Sequence, residues 1–380
     1  MQTISKQNTW ISEKKICLEI ELLLCCVRPQ VDDAISDAPE ELLQGGERIK
    51  ALVKENIDWE YLIQTAYGHG VISLLYTRLN TMCPKIVPEF ALNQLRTLFH
   101  TLAGRNLFLT GELVKLLDLL KDQGIVAVPY KGPVLATLIY GDVALRQFGD
   151  LDIIVEVQDI FAVKKLLLDQ GYRPNIEMTY AEEIAYLQAK TEHTYDFIHD
   201  EKEIFLEIHW RIAPKYITPI EPKHLWQDLE PFSLAGTTLS YLPLEDWLPI
   251  LCVHGSRHMW ERLSWLCDIA TLVHKHPDLN WEKVLKQASA FGCRRMLFLG
   301  LFLAHDLLGV VLPTEIWQQV KAEPMVSAIV PQVYNQLFDP VRTSDRFMGR
   351  TLYHIQVRER LQDKVLYIQS FFHWLKSGEK

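Results

Sequence analysis

The spacing of apolar residues divides the chain into a helical first third, a mixed middle and a helical remainder. Before residue 124, apolar side chains recur every three or four positions, which is typical of amphipathic helices. The longest such run extends from Glu89 to Gln123, and Gly124 predicts its end. The acidic, proline-bearing stretch from Val31 to Gly46 predicts a surface connection.

The period of the pattern changes in the middle of the chain. Short runs rich in β-branched residues predict buried strands at Ile125 to Lys131 and at Asp150 to Glu156. An amphipathic helix is expected from Asp159 to Gly171. From His193 to Arg211, two alternating runs flank a polar turn, which predicts a β-hairpin with one apolar and one polar face.

Helical spacing resumes at Leu244, after a proline-bearing connection from Pro214 to Pro243. The most apolar segment, Leu297 to Leu312, contains two polar residues and predicts a buried helix rather than a membrane span. The patterns together predict an α+β fold in which a small mixed β-sheet is flanked by helical regions. We expect three regions, at residues 1–123, 124–243 and 244–380.

Composition narrows the class of protein. At 380 residues, 48% hydrophobic and 23% charged, the chain resembles a soluble globular protein. Its net charge of -9 disfavours nucleic acid as a partner, because basic surfaces bind nucleic acid. Seven cysteines without CxxC spacing predict reduced thiols, and the first 15 residues lack the apolar core of a signal peptide. These features predict a cytoplasmic protein that does not span a membrane.

Three carboxylates are the candidates for metal binding. Asp150 and Asp152 stand two apart on a predicted strand, so both side chains leave the same face. A divalent cation would offset their mutual repulsion; the alternative is a solvated strand end, which the apolar residues directly after them disfavour. Glu207 adds a third carboxylate on the polar face of the hairpin, where its alternative role is pairing with Arg211. Three such acids suit Mg²⁺, which takes oxygen ligands.

A second group of residues predicts a phosphate site beside these acids. Gly132 lies between a strand and a short helix, where backbone N–H groups can approach phosphate, and Lys131 adds positive charge. Arg146 is either a phosphate clamp or part of a surface ion pair, and Gly149 directly precedes the acids. The P-loop pattern GxxxxGK[ST] is absent from the sequence.

Histidines and an arginine are candidates for the substrate cleft. We expect His193 and His209 of the hairpin to lie near the acids, depending on the hairpin register. His254 and Arg257, on a predicted helix, are expected to line the cleft or to pair with Asp268. Zinc binding by His254 and its neighbour four residues on is a weaker alternative, because no HExxH glutamate is present.

These motifs resemble a known family. KG, then Tyr140, Asp142, Arg146 and GDLDIIV, then LEIHW and HGSRHMWERLSWLCDIA, are similar to the bacterial uncharacterised nucleotidyltransferase family of the DNA polymerase β-type nucleotidyltransferase superfamily. DWEYLIQTAYGHGVISLLYTRL resembles its helical N-terminal part, so the likeness covers most of residues 40 to 310. The chain departs from the superfamily at Lys131 and Gly132, where a Gly-Ser pair is usual.

The resemblance implies a nucleotidyltransferase core at residues 124–243 and a specific role for each acid. Asp150 and Asp152 would bind both metal ions, and Glu207 would be the third carboxylate, near the attacking hydroxyl. The expected activity is Mg²⁺- or Mn²⁺-dependent transfer of a nucleoside monophosphate from an NTP to an unidentified small-molecule, peptide or protein acceptor. The alternative is a catalytically degenerate nucleotide-binding or protein-interaction module, which the altered turn at Lys131 and Gly132 suggests.

Overall fold

The computed structural model describes residues 16–29, 40–218, 226–338 and 346–377. The expectation that the first 15 residues carry no signal peptide lies outside these ranges. Within them, five helices precede the sheet: α1 (Leu18–Val27), α2 (Glu40–Leu52), α3 (Trp59–Gly68), α4 (Ile72–Met82) and α5 (Glu89–Asp122). The prediction of a long helix from Glu89 is confirmed, because α5 continues for 34 residues to Asp122.

The middle of the chain alternates between strands and helices. Its elements are β1 (Ala127–Tyr130), α6 (Gly132–Leu135), β2 (Asp150–Val155), α7 (Ile160–Asp169), β3 (Arg173–Pro174), α8 (Tyr180–Gln188), β4 (Thr194–His199), β5 (Ile204–His209), β6 (Glu230–Leu234) and β7 (Thr237–Tyr241). One π-helical turn (Ala136–Tyr140) and one 3₁₀ turn (Val143–Leu145) connect α6 to β2. The predicted strands, helix and hairpin are thereby confirmed.

Eight described helices complete the chain. They are α9 (Leu244–Arg257), α10 (Leu263–Lys275), α11 (Trp281–Ala290), α12 (Arg294–Leu308), α13 (Thr314–Ala322), α14 (Pro324–Phe338), α15 (Arg346–Gln356) and α16 (Leu361–Ser377). Among the described helices, none combines the length and the apolar character needed to cross a bilayer. Most of the apolar segment Leu297 to Leu312 falls in α12, which ends at Leu308 and whose side chains are mostly buried, as expected.

The five-stranded sheet has the order β1-β2-β5-β4-β3. β2 and β5 run parallel and the other neighbouring pairs run antiparallel, so the sheet is mixed, as predicted. Strands β6 and β7 form a separate two-stranded hairpin. The parallel register places Asp152 opposite Glu207 and Ile154 opposite His209. Side chains from β2 and β5 therefore share one polar face at this point.

Two hydrophobic cores lie on opposite faces of the sheet. The apolar face, with residues such as Ile153 and Leu206, packs against α7 and the second half of α5. Tyr130 and Ile154 of the other face join a larger core that contains helices from both ends of the chain. The first half of α5 also belongs to that larger core. The proposed division at residues 123/124 and 243/244 stays a prediction.

Two local expectations differ from the structure, and one helix was not predicted. The second half of the stretch expected to be a connection, Val31 to Gly46, lies in α2, whereas residues 30–39 are outside the described ranges. Helix α8 has a capping box formed by Thr179 and Glu182, a sequence signal that predicts a helix start. Hairpin β6–β7 lies within the connection expected from Pro214 to Pro243, and its turn holds Ala235 and Gly236 at positive φ. Alanine is uncommon in such a turn, so the hairpin was hard to predict.

Candidate active site

The polar face of the sheet brings two acids and a histidine together. Asp152 and Glu207 are paired in register across the parallel strands β2 and β5, and His209 follows on the same face. One ligand atom from each residue lies within 4.8 Å of the other two. We call Asp152, Glu207 and His209 the carboxylate cluster. This arrangement is a candidate site for a divalent metal ion.

His209 connects the two acids of the carboxylate cluster. Its Nε2 atom lies 2.9 Å from Asp152 Oδ1 and 3.2 Å from Glu207 Oε2. Because both neighbours are carboxylate oxygens, Nε2 carries the proton and donates it. Burial alone would lower the pKa of His209, but hydrogen bonds to the two carboxylates raise it. The imidazole thus fixes the positions of both acids.

Lys131 supplies a further positive charge to Asp152. Its Nζ lies 3.5 Å from Asp152 Oδ1 and 4.5 Å from the centre of the Tyr130 ring. Burial tends to raise the pKa of Asp152, but Lys131 and His209 outweigh burial and hold it at about 2. Lys131 has φ 61° and Gly132 has φ 44°, so the turn after β1 combines two left-handed residues. For a lysine this conformation is strained.

Asp150 lies outside the carboxylate cluster, although it points from the same face of β2. Burial raises its pKa to about 6, and the nearby charges of Asp152 and Glu207 add to this effect. The structure thus brings together two of the three expected metal carboxylates, with His209 as the third group. Metal binding by Asp150 stays a prediction. Gly149, expected near phosphate, is exposed and has open space beside its Cα.

Arg146 lies in a buried ion pair. Its Nε and Nη2 atoms donate to both carboxylate oxygens of Asp268 at 3.0–3.1 Å, and the Tyr140 hydroxyl donates to Oδ1 at 3.0 Å. The pair joins the loop before β2 to helix α10. The sequence left open that Arg146 forms an ion pair at the surface. The ion pair exists, but it is buried inside the protein. A role for Arg146 in phosphate binding stays a prediction, and Asp268 is paired with Arg146 rather than with His254 or Arg257.

The candidates for the substrate cleft separate into two groups. The His193 ring lies 6.0 Å from the His209 ring, and Arg257 Nη1 donates to His193 Nε2. Burial and the Arg257 charge keep the pKa of His193 far below its usual value, so this imidazole is neutral. His254 instead packs against the rings of His258 and Trp265. Within the described ranges, His254 and His258 gather no third metal ligand.

Asp196 is an acid that the sequence analysis missed. It lies on β4 directly opposite Glu207, so Asp152, Glu207 and Asp196 form a row across three neighbouring strands. Burial raises the pKa of Asp196, and the negative charge of Glu207 raises it further. The buried Oδ1 atom of Asp196 makes no hydrogen bond within the described residues. The alternation of the first hairpin run could have placed Asp196 on the polar face.

The donor set of the carboxylate cluster fits a divalent cation. Carboxylate oxygens suit Mg²⁺ and Mn²⁺, whereas the His209 Nε2 atom would have to lose its proton before it could bind Mn²⁺ or a later transition metal. Asp152 is buried, with a side chain 4% exposed, whereas the Glu207 side chain is 26% exposed. Glu207 is therefore the acid of the cluster that a molecule in solution can reach.

Comparison with known proteins identifies the family of this chain. The model of a family described as uncharacterised nucleotidyltransferase matches residues 55–309, a range that contains the sheet and the carboxylate cluster. Among solved structures, the chain is similar to the antibiotic-resistance factor ANT(2'')-Ia, with 13% identity and a TM-score of 0.34. That similarity covers 49% of this chain and 91% of the other. No curated protein matches the chain.

Proposed function

Because the chain belongs to the uncharacterised nucleotidyltransferase family, we propose that it transfers a nucleoside monophosphate from an NTP to a hydroxyl group. The acceptor oxygen forms a bond to the α-phosphorus while the bond from that phosphorus to the bridging oxygen breaks. Pyrophosphate leaves with the electron pair of the broken bond, and the hydroxyl proton passes to a base or to solvent. The acceptor is a small molecule, a peptide or a protein.

The observation that carries this proposal is the pairing of Asp152 with Glu207 beside His209. Asp152, Glu207 and, from the neighbouring position on β2, Asp150 would hold Mg²⁺ or Mn²⁺. When bound, such an ion offsets the charge of the triphosphate and of the pentacoordinate transition state. Without a cation, a row of acids on one sheet face would repel an anionic nucleotide.

Each residue of the site has a proposed task. Glu207, the more accessible acid of the cluster, would lie next to the acceptor hydroxyl and accept or orient its proton. His209 would keep both carboxylates in position through its Nε2 proton. Lys131 and Gly132, at the turn before α6, would contact the triphosphate through the ammonium group and the backbone N–H groups.

A second candidate function is favoured by the contacts of Asp152. Lys131 and His209 already neutralise this carboxylate within the protein, and the turn at Lys131 and Gly132 replaces the usual Gly-Ser pair. Such a site could bind a nucleotide without turnover, as a degenerate nucleotide-binding or protein-interaction module. The two candidate functions differ in whether the nucleotide is transferred to an acceptor, and the enzyme additionally requires a divalent cation.

The test measures the melting temperature with each NTP, with and without Mg²⁺ or Mn²⁺. The proposed enzyme is stabilised by an NTP only when the cation is present, because ligand binding shifts the equilibrium towards the native state. Asp152→Asn removes the shift, whereas Asp169→Asn, an exposed control on α7, keeps it. A shift that survives in Asp152→Asn contradicts the metal site. Incubation of the full chain with labelled NTP and cell extract then tests transfer; NTP binding without any labelled acceptor supports the second function.

A further inference from the structure

A cavity of about 350 Å³ lies between the ends of the sheet strands and the last helices. We call it the arginine cavity, because its lining combines three arginines with aromatic side chains. These residues are Arg257, Arg350, Arg358, Tyr216, Tyr367 and Phe371. Its volume suits a small molecule, since ligand pockets of this class begin at about 300 Å³.

The arginines of the cavity contact backbone oxygens and an imidazole rather than carboxylates, as far as the described residues show. Arg358 donates to the backbone oxygens of Tyr216 and His354, and Arg257 donates to His193. Arg350 is exposed at the rim. In the described part of the chain, none of the three arginines forms an ion pair. Within the described ranges, the lining thus holds guanidinium groups without a carboxylate in direct ion-pair contact.

One acid also lines the cavity. Glu192 is half-buried, and its Oε1 atom accepts a hydrogen bond from the Thr191 hydroxyl. Three arginines and one glutamate leave the lining with an excess of positive charge. A ligand that balances this excess is an anion.

Two histidines of the lining respond to the same positive charge. Burial, followed by the Arg358 and Arg350 charges, lowers the pKa of His354 to about 3. His193 is neutral for the corresponding reason, with Arg257 as its charged neighbour. Both imidazoles therefore add hydrogen-bonding groups to the cavity without adding charge.

The arginine cavity and the turn at Lys131 and Gly132 lie on opposite sides of the carboxylate cluster. The turn lies near the start of β2, beyond β1 at one edge of the sheet. His193 precedes β4, on the other side of β5, next to the strand end that carries His209. The ring of His193 reaches to 6.0 Å from the ring of His209. His193 thus connects the lining of the cavity to His209 of the carboxylate cluster, across β2 and β5 from the turn expected to hold the triphosphate.

We propose that the arginine cavity binds the acceptor, and that the acceptor is a small hydroxyl compound carrying a phosphate group. This inference rests on the proposed nucleotidyl transfer. Of the three acceptor classes, small molecule, peptide and protein, it selects the small molecule. Guanidinium forks match phosphate oxygens with paired hydrogen bonds, and the tyrosine rings pack against the remainder of the molecule. The hydroxyl of such a compound would extend past His193 to Glu207.

The test uses inorganic phosphate and phenyl phosphate as probes, with the full chain and with EDTA to exclude metal-bound phosphate. Titration calorimetry is expected to show binding of both, with phenyl phosphate tighter because of the aromatic walls. Arg257→Gln and Arg350→Gln each weaken binding by about tenfold or more, since each removes a charge-assisted hydrogen bond. Arg96→Gln, at an exposed arginine on α5, leaves binding unchanged.

The outcomes separate this inference from the proposed transfer. Asp152→Asn is expected to lose the cation-dependent NTP effect and to keep phosphate binding. If phosphate does not bind, or binds equally to the arginine variants, the acceptor inference fails while the NTP result stands. Benzoate binding as tight as phenyl phosphate binding overturns the assignment of a phosphate group. If phosphate binds at the arginines but NTP has no effect, the proposed nucleotidyl transfer is rejected. The cavity is then an anion-binding site, and the bound molecule is not an acceptor.

Discussion

The Arg146 guanidinium binds both carboxylate oxygens of Asp268 inside the protein, at 3.0–3.1 Å. The two residues are 122 positions apart and connect the loop before β2 to helix α10. Almost no water reaches either side chain. A charge buried in this way needs its partner, because the interior does not solvate it.

We predict that Asp268→Asn destabilises the fold by about 3–5 kcal/mol, because it leaves the Arg146 charge buried and unpaired. The matched control is Asp200→Asn, which breaks an ion pair with Arg173 of the same two-point geometry on the surface. Water solvates that arginine, so the control should hardly change the urea midpoint. Equal midpoint shifts in the two variants would contradict the importance of burial.

A second prediction concerns two glycines in helices. A Cβ atom at Gly255 would lie 2.3 Å from the buried Trp260 ring, whereas one at Gly104 would meet no atom within 4 Å. Gly255→Ala should therefore destabilise the protein by about 1–3 kcal/mol, as overpacking does. Gly104→Ala, in the exposed middle of α5, should stabilise it by about 0.5–1 kcal/mol. Thermal unfolding of both variants checks the opposite signs.

We predict that Asp246 makes the free energy of unfolding depend on pH. This residue is buried in the first turn of α9, and its Oδ1 atom has no hydrogen bond within the described residues. Burial raises its pKa from 3.8 to about 6. The native state thus favours the protonated carboxyl group. The contribution of Asp246 to stability is therefore fully present below pH 3.8 and is lost as the pH rises through about 6.

Asp246→Asn should accordingly stabilise the protein at pH 7.5 by about 2 kcal/mol and have little effect near pH 4. Urea unfolding of the variant and of wild type at both pH values measures this difference. Asp169→Asn, at an exposed site, serves as the control and should show no such pH dependence. A constant difference between wild type and Asp246→Asn across this range would disprove the role of the raised pKa.

Local patterns were sufficient to predict the elements that carry the site. Alternation placed Glu207 and His209 on one face of a hairpin, and the spacing of Asp150 and Asp152 placed both on one face of a strand. These faces depend only on the period of the strand, which is a local property. The structure confirms the strands and the polar face.

Contacts between distant segments could not be predicted in the same way. Whether His209 or Asp150 lies nearest to Asp152 depends on the register between β2 and β5, which the sequence of neither strand determines. The partner of Arg146 lies on α10, and the arginine cavity requires α15 and α16 to pack beside the hairpin. Such contacts follow from tertiary packing across more than 100 residues.

The position of His209 predicts its effect on metal binding. His209→Ala removes the group that donates to both Asp152 and Glu207, and we expect the affinity for Mn²⁺ to fall by about 10–100-fold. His258→Ala is the control, because His258 packs on Trp265 outside the carboxylate cluster. Mn²⁺ binding is measured by electron paramagnetic resonance at pH 7.5, with circular dichroism to verify folding.

Two further results would decide how His209 acts. His209→Gln retains an N–H donor, so partial recovery of Mn²⁺ affinity would indicate that the proton holds the two acids in place. If glutamine does not restore affinity but added imidazole does, the ring nitrogen itself binds the ion. An unchanged affinity in His209→Ala, with Asp152→Asn still defective, would remove the histidine from the site. Metal binding would then rest on Asp150, Asp152 and Glu207 alone, as the spacing of the two aspartates on β2 first indicated.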